Sequence, residues 1–354
     1  MRTSIKRGTH VAAFYLDRLR NTLAAAATIF GAAACRTATS GAPEDPSQTY
    51  QAVVSEGTPL PQGRACHAGG IVGGRVIVAG GSGWSADRTT KLWFSDTLVF
   101  DAMANVWSPG PRLPRPVAEM MFATDGDALY LAGGRHGDET HAEAYRLLSR
   151  EGRVTLETLP PLPHPLNGGA GAVLDGQFFV AGGYNADGAM MDSLWTLNLQ
   201  KPSAGWRPRA ALPSPKRGYP GLVACGGALY LLGGCVVEDE DHPARQVFKD
   251  VYRYDVVSDA WSRLQDLPTA GQSWVAGEVD AHQILLTGRG DTNYYDDVWL
   301  VDLRDNSVRA LGSLVIPSSG SPLVRVAPQQ WWFIAGEPNA SRSRTPRVSI
   351  IELK

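Results

Sequence analysis

The segment RVIVAGG, residues 75–81, is an apolar run of strand length that ends in two glycines. Four later segments repeat this pattern and a fifth keeps the apolar run but ends in Gly-Glu: ALYLAGG (128–134), QFFVAGG (177–183), ALYLLGG (228–234), QILLTGRG (283–290) and WWFIAGE (331–337). The first glycines of these six segments recur every 48–55 residues. A repeat of this period along the chain indicates an array of equivalent structural units.

A second series of markers keeps the same period. Prolines that end a strand-like stretch recur every 49–55 residues, at Pro61, Pro114, Pro163, Pro213, Pro268 and Pro317. Between the two series lie a third strand, such as residues 251–256, and a fourth strand that usually carries tryptophan. Four strands in each of six repeats predict the blades of a β-propeller.

The order of these markers resembles the kelch repeat. An apolar strand ends in Gly-Gly, an aromatic residue lies in the next strand, and a tryptophan follows, as in Tyr252, Tyr254 and Trp261. The resemblance covers residues 50–354 and implies an all-β, six-bladed propeller. The last repeat has only three strands of its own, so we expect residues 50–54 to supply its fourth strand. Ring closure of this kind protects sheet edges that would otherwise pair with other chains.

The composition fits a large apolar core and argues against a nucleic-acid partner. Of the 354 residues, 44% are hydrophobic, and the 39 glycines and 24 prolines are typical of short strands joined by tight turns. The 33 basic and 35 acidic side chains leave a formal net charge of −2. We therefore expect no large cationic surface that would attract phosphate backbones.

The N-terminal segment has the pattern of an export signal. Basic residues including Arg18 and Arg20 precede a short apolar stretch, residues 23–34. This stretch is shorter than the roughly 20 residues that a membrane-spanning helix needs. The run Ala-Ala-Ala-Cys that ends at Cys35 resembles a bacterial lipoprotein box, which implies lipidation of Cys35. A plain signal peptide is the alternative.

These patterns predict three regions. We expect a signal segment with the lipoprotein box over residues 1–35, a polar tether over 36–49 and the propeller over 50–354. The expected location is the periplasm or the outer membrane and cell surface. The lipid would be the protein's only membrane attachment.

One loop of the expected propeller carries a carboxylate at a position where its equivalents have Gly or Arg. In a kelch blade the loops after the second strand lie at one end of the central channel, and the sixth of these loops begins with Glu337. The same loop contains Arg342 and Arg344, and Arg289 replaces the second glycine of the fifth repeat. A partly shielded carboxylate can exchange protons near neutral pH. Guanidinium groups suit a carboxylate ligand because they form paired hydrogen bonds to it.

This loop is similar to a loop of the bacterial N-acetylneuraminate epimerases (mutarotases), which are exported six-bladed kelch proteins. Gly336-Glu337 followed by Arg344-Thr345 resembles the Gly-Glu and Arg-Thr pairs of that family. The separation of Glu337 and Arg344 is one residue longer than in the family, which keeps Arg342 as an alternative. The loop also lies in the last blade rather than an interior one, as it would in a circularly permuted relative.

The resemblance implies a function and residue roles. Glu337 would be the catalytic proton acceptor, and Arg344 would bind the carboxylate of a sialic acid. The protein would then interconvert the anomers of N-acetylneuraminate by general acid–base ring opening. This reaction needs no cofactor and no metal.

Other polar residues are weaker candidates. His136 and Asn185 follow the glycines of their repeats, so we expect them near the same channel mouth as substrate-binding residues, together with Arg289. Ordinary solvated loop positions are the alternative for both. His67 is expected to be structural. The repeated tryptophans are expected to pack the blades rather than to bind a sugar.

Two further functions are compatible with a kelch propeller. Copper radical oxidases such as galactose oxidase share it, but their paired histidines, two tyrosines and crosslinked cysteine have no counterpart in the scattered histidines of this sequence. A noncatalytic propeller that binds a glycan or a protein at the cell envelope is a closer alternative. The acidic loop 238–241 is a candidate surface for such a partner. Convergence of Glu337 and the arginines in a shielded pocket would favour the enzyme.

Overall fold

A computed structural model describes residues 50–237 and 244–354. The expected signal segment, the tether and Cys35 lie outside the described residues, as does the acidic loop 238–241. Within the described ranges, no helix is both long enough and apolar enough to cross a bilayer.

The described chain forms six four-stranded antiparallel sheets, numbered here as blades 1–6 in chain order. From the innermost strand outward, their strands are Ala68–Val72, Arg75–Ala79, Thr97–Asp101 and Val106–Pro109 in blade 1; Met121–Thr124, Ala128–Ala132, Ala144–Arg150 and Arg153–Leu159 in blade 2; Ala170–Leu174, Gln177–Ala181, Leu194–Asn198 and Trp206–Arg209 in blade 3; Gly221–Cys225, Ala228–Leu232, Val251–Asp255 and Ala260–Arg263 in blade 4; Gln272–Glu278, Gln283–Arg289, Asp297–Asp302 and Ser307–Ser313 in blade 5; and Leu323–Ala327, Gln330–Gly336, Thr345–Leu353 and Ala52–Gly57 in blade 6.

Short elements extend the loops between the second and third strands of three blades. They are two-stranded hairpins in blades 1, 2 and 4: Ser82–Trp84 with Lys91–Trp93, Arg135–His136 with Glu139–Thr140, and Cys235–Val236 with Gln246–Val247. A 3-10 turn, Pro202–Ala204, lies between the third and fourth strands of blade 3.

The blades close into a ring whose hydrophobic cores lie between neighbouring blades. Each innermost strand packs against the innermost strands of both adjacent blades, and blade 6 packs against blade 1. Alternate residues of a second strand serve two different cores: Leu129 and Leu131 face blade 1, whereas Tyr130 faces blade 3. Because both faces of the strand are buried, its sequence is continuously apolar. This burial explains the repeated apolar segments, and the six-bladed all-β propeller is confirmed.

The first and last parts of the described chain meet in blade 6. The strand Ala52–Gly57 pairs antiparallel with Thr345–Leu353, with Ala52 opposite Leu353 and Gly57 opposite Val348. This strand lies slightly later than the expected residues 50–54. Tyr50 precedes it and is buried in the core between blades 5 and 6.

The repeated tryptophans link neighbouring blades. Each indole N–H donates a hydrogen bond to a backbone carbonyl in the segment that leads into its own blade: Trp107 to Thr58 at 3.0 Å, Trp206 to Pro160 at 2.8 Å and Trp261 to Ala210 at 3.1 Å. Their packing role follows from these contacts, because the indole ring fills an apolar space while its N–H finds a partner.

Two buried arginines stabilise the turns before the inner strands of blades 1 and 4. Arg217 is fully buried and pairs with Asp250 at 2.7 Å, and its guanidinium also donates to the carbonyl of Gly233 at 2.9 Å. Arg64 pairs with Asp96 at 2.9 Å in the equivalent place. A buried guanidinium needs several acceptors, and here they are a carboxylate and the carbonyl of the Gly-Gly turn.

Candidate active site at the channel mouth

Six equivalent residues form a collar at one end of the central channel. All six have left-handed backbone conformations, with φ between 49° and 63°: Cys66, Glu119, Gly168, Tyr219, Ser273 and Gly320. Five hydrogen bonds of 2.6–3.0 Å connect them in order, each from the N–H of one member to the carbonyl of the preceding blade's member. The collar therefore presents one residue of each blade to the channel.

The channel contains a cavity of about 590 Å³ that all six collar residues line. Small residues of the innermost strands, such as Gly69, Gly171 and Gly277, line its wall. Charged side chains line both ends: Glu119 and Glu337 lie at the collar, and Glu278 and Arg325 lie at the opposite end. A cavity of several hundred cubic ångströms accommodates a small organic ligand.

The predicted pair Glu337 and Arg344 meets at this cavity. The Arg344 Nη2 atom lies 3.0 Å from the Glu337 Oε2 atom, and the arginine side chain is only 9% exposed. The two residues are brought together because Gly336 lies opposite Thr345 in the hairpin, which makes Glu337 and Arg344 the next positions outward. Gly336 is required there, since a Cβ atom would lie 1.9 Å from the Ser321 hydroxyl.

A tyrosine completes this cluster. The Tyr294 hydroxyl donates a 2.7 Å hydrogen bond to Glu337 Oε1. Burial and this hydrogen bond raise the pKa of Tyr294 to about 12, so the phenol keeps its proton at neutral pH. Glu337, Arg344 and Tyr294, named here the Glu337 cluster, hold a carboxylate in one orientation at the cavity.

A second carboxylate, which the sequence analysis missed, lies at the same cavity. Glu119 is a collar residue whose side chain is 8% exposed, and Arg135 Nε lies 3.1 Å from its Oε1 atom. The Tyr219 hydroxyl donates a 3.0 Å hydrogen bond to its Oε2 atom. These three residues are named here the Glu119 cluster. Its signal in the sequence is spacing, since Glu119 follows Pro114 by the same five residues that separate Cys66 from the first proline of the series.

The cavity wall between the two clusters is formed by Cys66. Burial and the Glu119 charge raise the pKa of the Cys66 thiol to about 12, and the Glu337 charge acts in the same direction. The thiol is therefore neutral. The collar hydrogen bonds place Cys66 between Glu119 and Gly320, which belongs to the same blade as Glu337.

Cations also line the cavity. Arg245 pairs with Asp291 at 3.1 Å, but no carboxylate of the described residues lies within ion-pair distance of Lys91 or Arg289. Arg289 stacks on the Tyr294 ring at 4.6 Å, and its buried Nε atom has no hydrogen-bond partner in the described chain. Burial lowers the pKa of Lys91. Arg289 is thus a guanidinium with unused donors at the cavity.

The remaining predicted site residues lie outside this cavity. Arg342 is exposed and its guanidinium lies 5.0 Å from the centre of the Trp84 ring, so Arg344 is the arginine beside Glu337. His136 is exposed and packs edge-on against Trp93. Asn185 accepts hydrogen bonds from two backbone N–H groups of its own loop and lines a separate cavity of about 350 Å³.

In residues 50–237 and 244–354, no three or more His, Cys, Asp or Glu side chains lie together in an arrangement that could hold a metal ion.

Comparison with known proteins adds to this geometry. The family model described as N-acetylneuraminate epimerase matches residues 159–308, and the one described as Kelch motif matches residues 63–114. The chain is a six-bladed β-propeller that resembles the N-acetylneuraminate epimerases. Tyr219, Arg289 and Tyr294 of this propeller lie inside the epimerase match, whereas Glu119, Glu337 and Arg344 lie outside it.

Individual relatives give the same similarity. This chain is 27% identical over 140 residues to the N-acetylneuraminate epimerase of Haemophilus influenzae (strain PittEE). The matched segment is 40% of this chain and 36% of that protein. It is 27% identical over 147 residues to that of Salmonella typhi, which is 41% of this chain and 37% of that protein. The match thus spans little more than a third of the length of these relatives.

Proposed function

We propose that the protein interconverts the anomers of N-acetylneuraminate or a closely similar sialic acid at the collar end of the channel. The observation that carries this proposal is the Glu337 cluster, a carboxylate held by an arginine and a neutral tyrosine at the wall of a cavity of about 590 Å³. The similarity to N-acetylneuraminate epimerases supports the choice of substrate.

The proposed reaction needs only proton transfers. A carboxylate takes the proton of the anomeric hydroxyl, the electron pair of that O–H bond forms the C2 carbonyl, and the bond from C2 to the ring oxygen breaks. The ring oxygen takes a proton from an acid at the same time. After rotation about the bond between C2 and C3, the hydroxyl attacks the other face of the carbonyl, and both protons return. Glu337 is the proposed acceptor of the first proton.

The charges at the cavity suit a sugar that carries a carboxylate. Among the described residues Arg289 forms no ion pair and donates only a 3.4 Å hydrogen bond to the Asp291 carbonyl, whereas Arg344 already pairs with Glu337. We therefore assign the sugar carboxylate first to Arg289, with Lys91 as a second cation beside the cavity. A guanidinium binds a carboxylate through two parallel hydrogen bonds, which fixes the anomeric carbon relative to Glu337.

The alternative, a noncatalytic binding propeller, predicts polar residues spread over an open rim. Glu337, Arg344 and Arg289 instead line one cavity, which favours the enzyme. A binding protein would retain affinity for the sugar without accelerating its anomerisation, so the same experiment separates the two functions.

We also propose that the protein acts outside the cytoplasm. The pattern of residues 1–35 supports export, and Cys35 is the proposed site of lipid attachment. Free sialic acid in the cell envelope would then be the substrate pool.

One-dimensional proton NMR tests the proposed activity. The wild-type protein should accelerate the approach of N-acetylneuraminate to its anomeric equilibrium. Glu337→Gln should lower the enzyme-catalysed rate about 100-fold or more. Glu56→Gln is the matched control, since Glu56 also pairs with an arginine of blade 6, at 2.7 Å, but on the exposed outer strand. If wild-type protein leaves the rate of anomeric equilibration at its spontaneous value, this activity is excluded. If the protein binds the sugar without raising that rate, the binding propeller is established.

A further inference from the structure

We infer that Glu119 is a second proton-transfer residue of the same reaction, acting on the sugar oxygen that Glu337 does not serve. This inference rests on the proposed function. It concerns a residue of blade 2, whereas the Glu337 cluster belongs to blades 5 and 6.

The chemistry requires two separate groups. Ring opening removes a proton from the anomeric hydroxyl and delivers one to the ring oxygen, and ring closure reverses both transfers. An ionised carboxylate that accepts the hydroxyl proton has no proton of its own to give to the ring oxygen in the same step. A second proton carrier is therefore needed, and Glu119 lines the same cavity as Glu337.

The two clusters have the same composition and the same contacts. In each one, a carboxylate accepts a tyrosine hydrogen bond on one oxygen and faces an arginine on the other: Tyr294 and Arg344 for Glu337, and Tyr219 and Arg135 for Glu119. Both carboxylates line the same cavity. The duplicated arrangement indicates that the two carboxylates have equivalent roles in proton transfer.

Their placement suits a ligand between them. The collar order Gly320, Cys66, Glu119 places one residue between Glu119 and the blade that carries Glu337. The carboxylates therefore approach a sugar at the collar from different directions. Lys91 lines the same cavity as Glu119.

Tyr219 and Arg135 are positioning residues in this scheme. Burial, followed by the Glu119 charge, raises the pKa of Tyr219 well above its ordinary value, so the phenol remains a hydrogen-bond donor. Arg135 lies behind the carboxylate and lines the neighbouring smaller cavity. Together they leave the face of Glu119 that lines the channel for the ligand.

The proton transfers balance if Glu337 and Glu119 together hold one proton. In one direction Glu337 is ionised and takes the hydroxyl proton, while protonated Glu119 gives its proton to the ring oxygen. In the other direction the states are exchanged.

The test compares Glu119→Gln with wild type in the anomerisation assay and in a binding assay with N-acetylneuraminate. We expect kcat to fall about 100-fold or more while the dissociation constant changes less than about tenfold, because the amide keeps hydrogen-bonding capacity but carries no proton. Glu157→Gln is the matched control, since Glu157 also pairs with an arginine of blade 2, at 2.7 Å, but on its outermost strand.

Two further measurements separate proton transfer from structure. The pH profile of kcat should be bell-shaped in wild type and should lose one limb in Glu119→Gln. The double variant Glu119→Gln/Glu337→Gln should be hardly slower than either single variant, because both groups act in one step. Circular dichroism and thermal unfolding establish that the variants are folded.

The outcomes are distinct. If wild type accelerates anomerisation and Glu119→Gln retains wild-type kcat, the inference is wrong and the proposed function stands. If kcat stays high but binding weakens strongly, Glu119 is a binding residue and the inference is again wrong. If wild type does not accelerate the reaction, both proposals are excluded for this sugar.

Discussion

The hydroxyl of Tyr219 donates a 3.0 Å hydrogen bond to the carboxylate of Glu119, one hundred residues earlier in the chain. The two residues occupy collar positions of blades 4 and 2, and Gly168 of blade 3 lies between them. A Cβ atom at Gly168 would lie 3.0 Å from the Tyr219 ring. The absence of a side chain in blade 3 therefore lets the phenol reach the carboxylate.

Gly168→Ala tests whether the contact between Tyr219 and Glu119 matters for activity. The added methyl group should displace the Tyr219 ring and lower kcat for anomerisation about tenfold, in addition to a backbone cost of about 1 kcal/mol for alanine at φ +62°. The control is Gly152→Ala, where φ is +75° and no atom lies within 4 Å of the added Cβ. Equal kcat values in the two variants would show that the Tyr219 contact does not matter for activity.

Arg289 is expected to bind the sugar carboxylate. Because a hydrogen bond to a charged group contributes about 1.5–3 kcal/mol, Arg289→Ala should weaken binding of N-acetylneuraminate about 10- to 100-fold. Arg342→Ala is the control and should bind as wild type does, since Arg342 is exposed and packs on Trp84. Titration calorimetry measures both. The uncharged methyl ester of the sugar should bind wild type and Arg289→Ala alike, and a tenfold preference for wild type would contradict the assignment.

His67 should make the protein sensitive to acid. Burial and the nearby Arg64 charge lower the pKa of His67 to about 3, whereas the unfolded chain takes up this proton near pH 6.5. The unfolded state therefore binds more protons between these values. The contribution of His67 to stability is fully present above about pH 6.5 and is lost as the pH falls, by about 1.4 kcal/mol per pH unit.

Denaturant unfolding at several pH values tests this dependence. His67→Gln should lower the slope of unfolding free energy against pH between about pH 6 and 4 by about the same amount. His282→Gln, at an exposed histidine, should keep the wild-type slope. An unchanged slope in His67→Gln would mean that His67 is already protonated in the folded protein.

The buried pair of Arg217 and Asp250 should stabilise the fold without affecting the chemistry. Asp250→Asn leaves the fully buried guanidinium without its charge partner, so we expect a loss of about 3–5 kcal/mol in unfolding free energy. The control is Asp266→Asn at the exposed Arg263 pair, where the loss should stay below about 1 kcal/mol. Chemical denaturation measures both values, and similar losses would contradict the distinction between the two pairs.

Cys35 is expected to carry the lipid. Expressed from the full chain in a bacterium, the wild-type protein should incorporate radiolabelled palmitate and fractionate with membranes. Cys35→Ala should lose the label and be released or remain unprocessed. Equal labelling of the two proteins would exclude Cys35 as the attachment site, and an unlabelled, processed wild type would establish the plain signal peptide.

The hairpin of blade 6 shows which part of the site could be predicted. Glu337 and Arg344 lie on the two sides of one turn, so their contact depends on local pairing between Gly336 and Thr345. The choice of Arg344 over Arg342 was left open by spacing alone, and it is decided because Arg342 turns outward onto Trp84. His136 and Asn185 lie two residues beyond the position equivalent to Glu337 in their own blades. His136 belongs to a short hairpin, and Asn185 caps the turn of its own loop, and neither side chain lines the cavity.

The sequence by itself determined the repeat, the number of blades and the all-β class, because period-two burial of each second strand against two neighbours requires an unbroken apolar run. It also determined that Glu337 lies in one loop with Arg342 and Arg344. Only the tertiary structure decided that Glu119, Tyr219 and Arg135 meet, since ring closure brings together residues of blades 2 and 4 that no local pattern relates. Collar geometry depends on the hydrogen bonds between blades, and those exist only once the ring has formed.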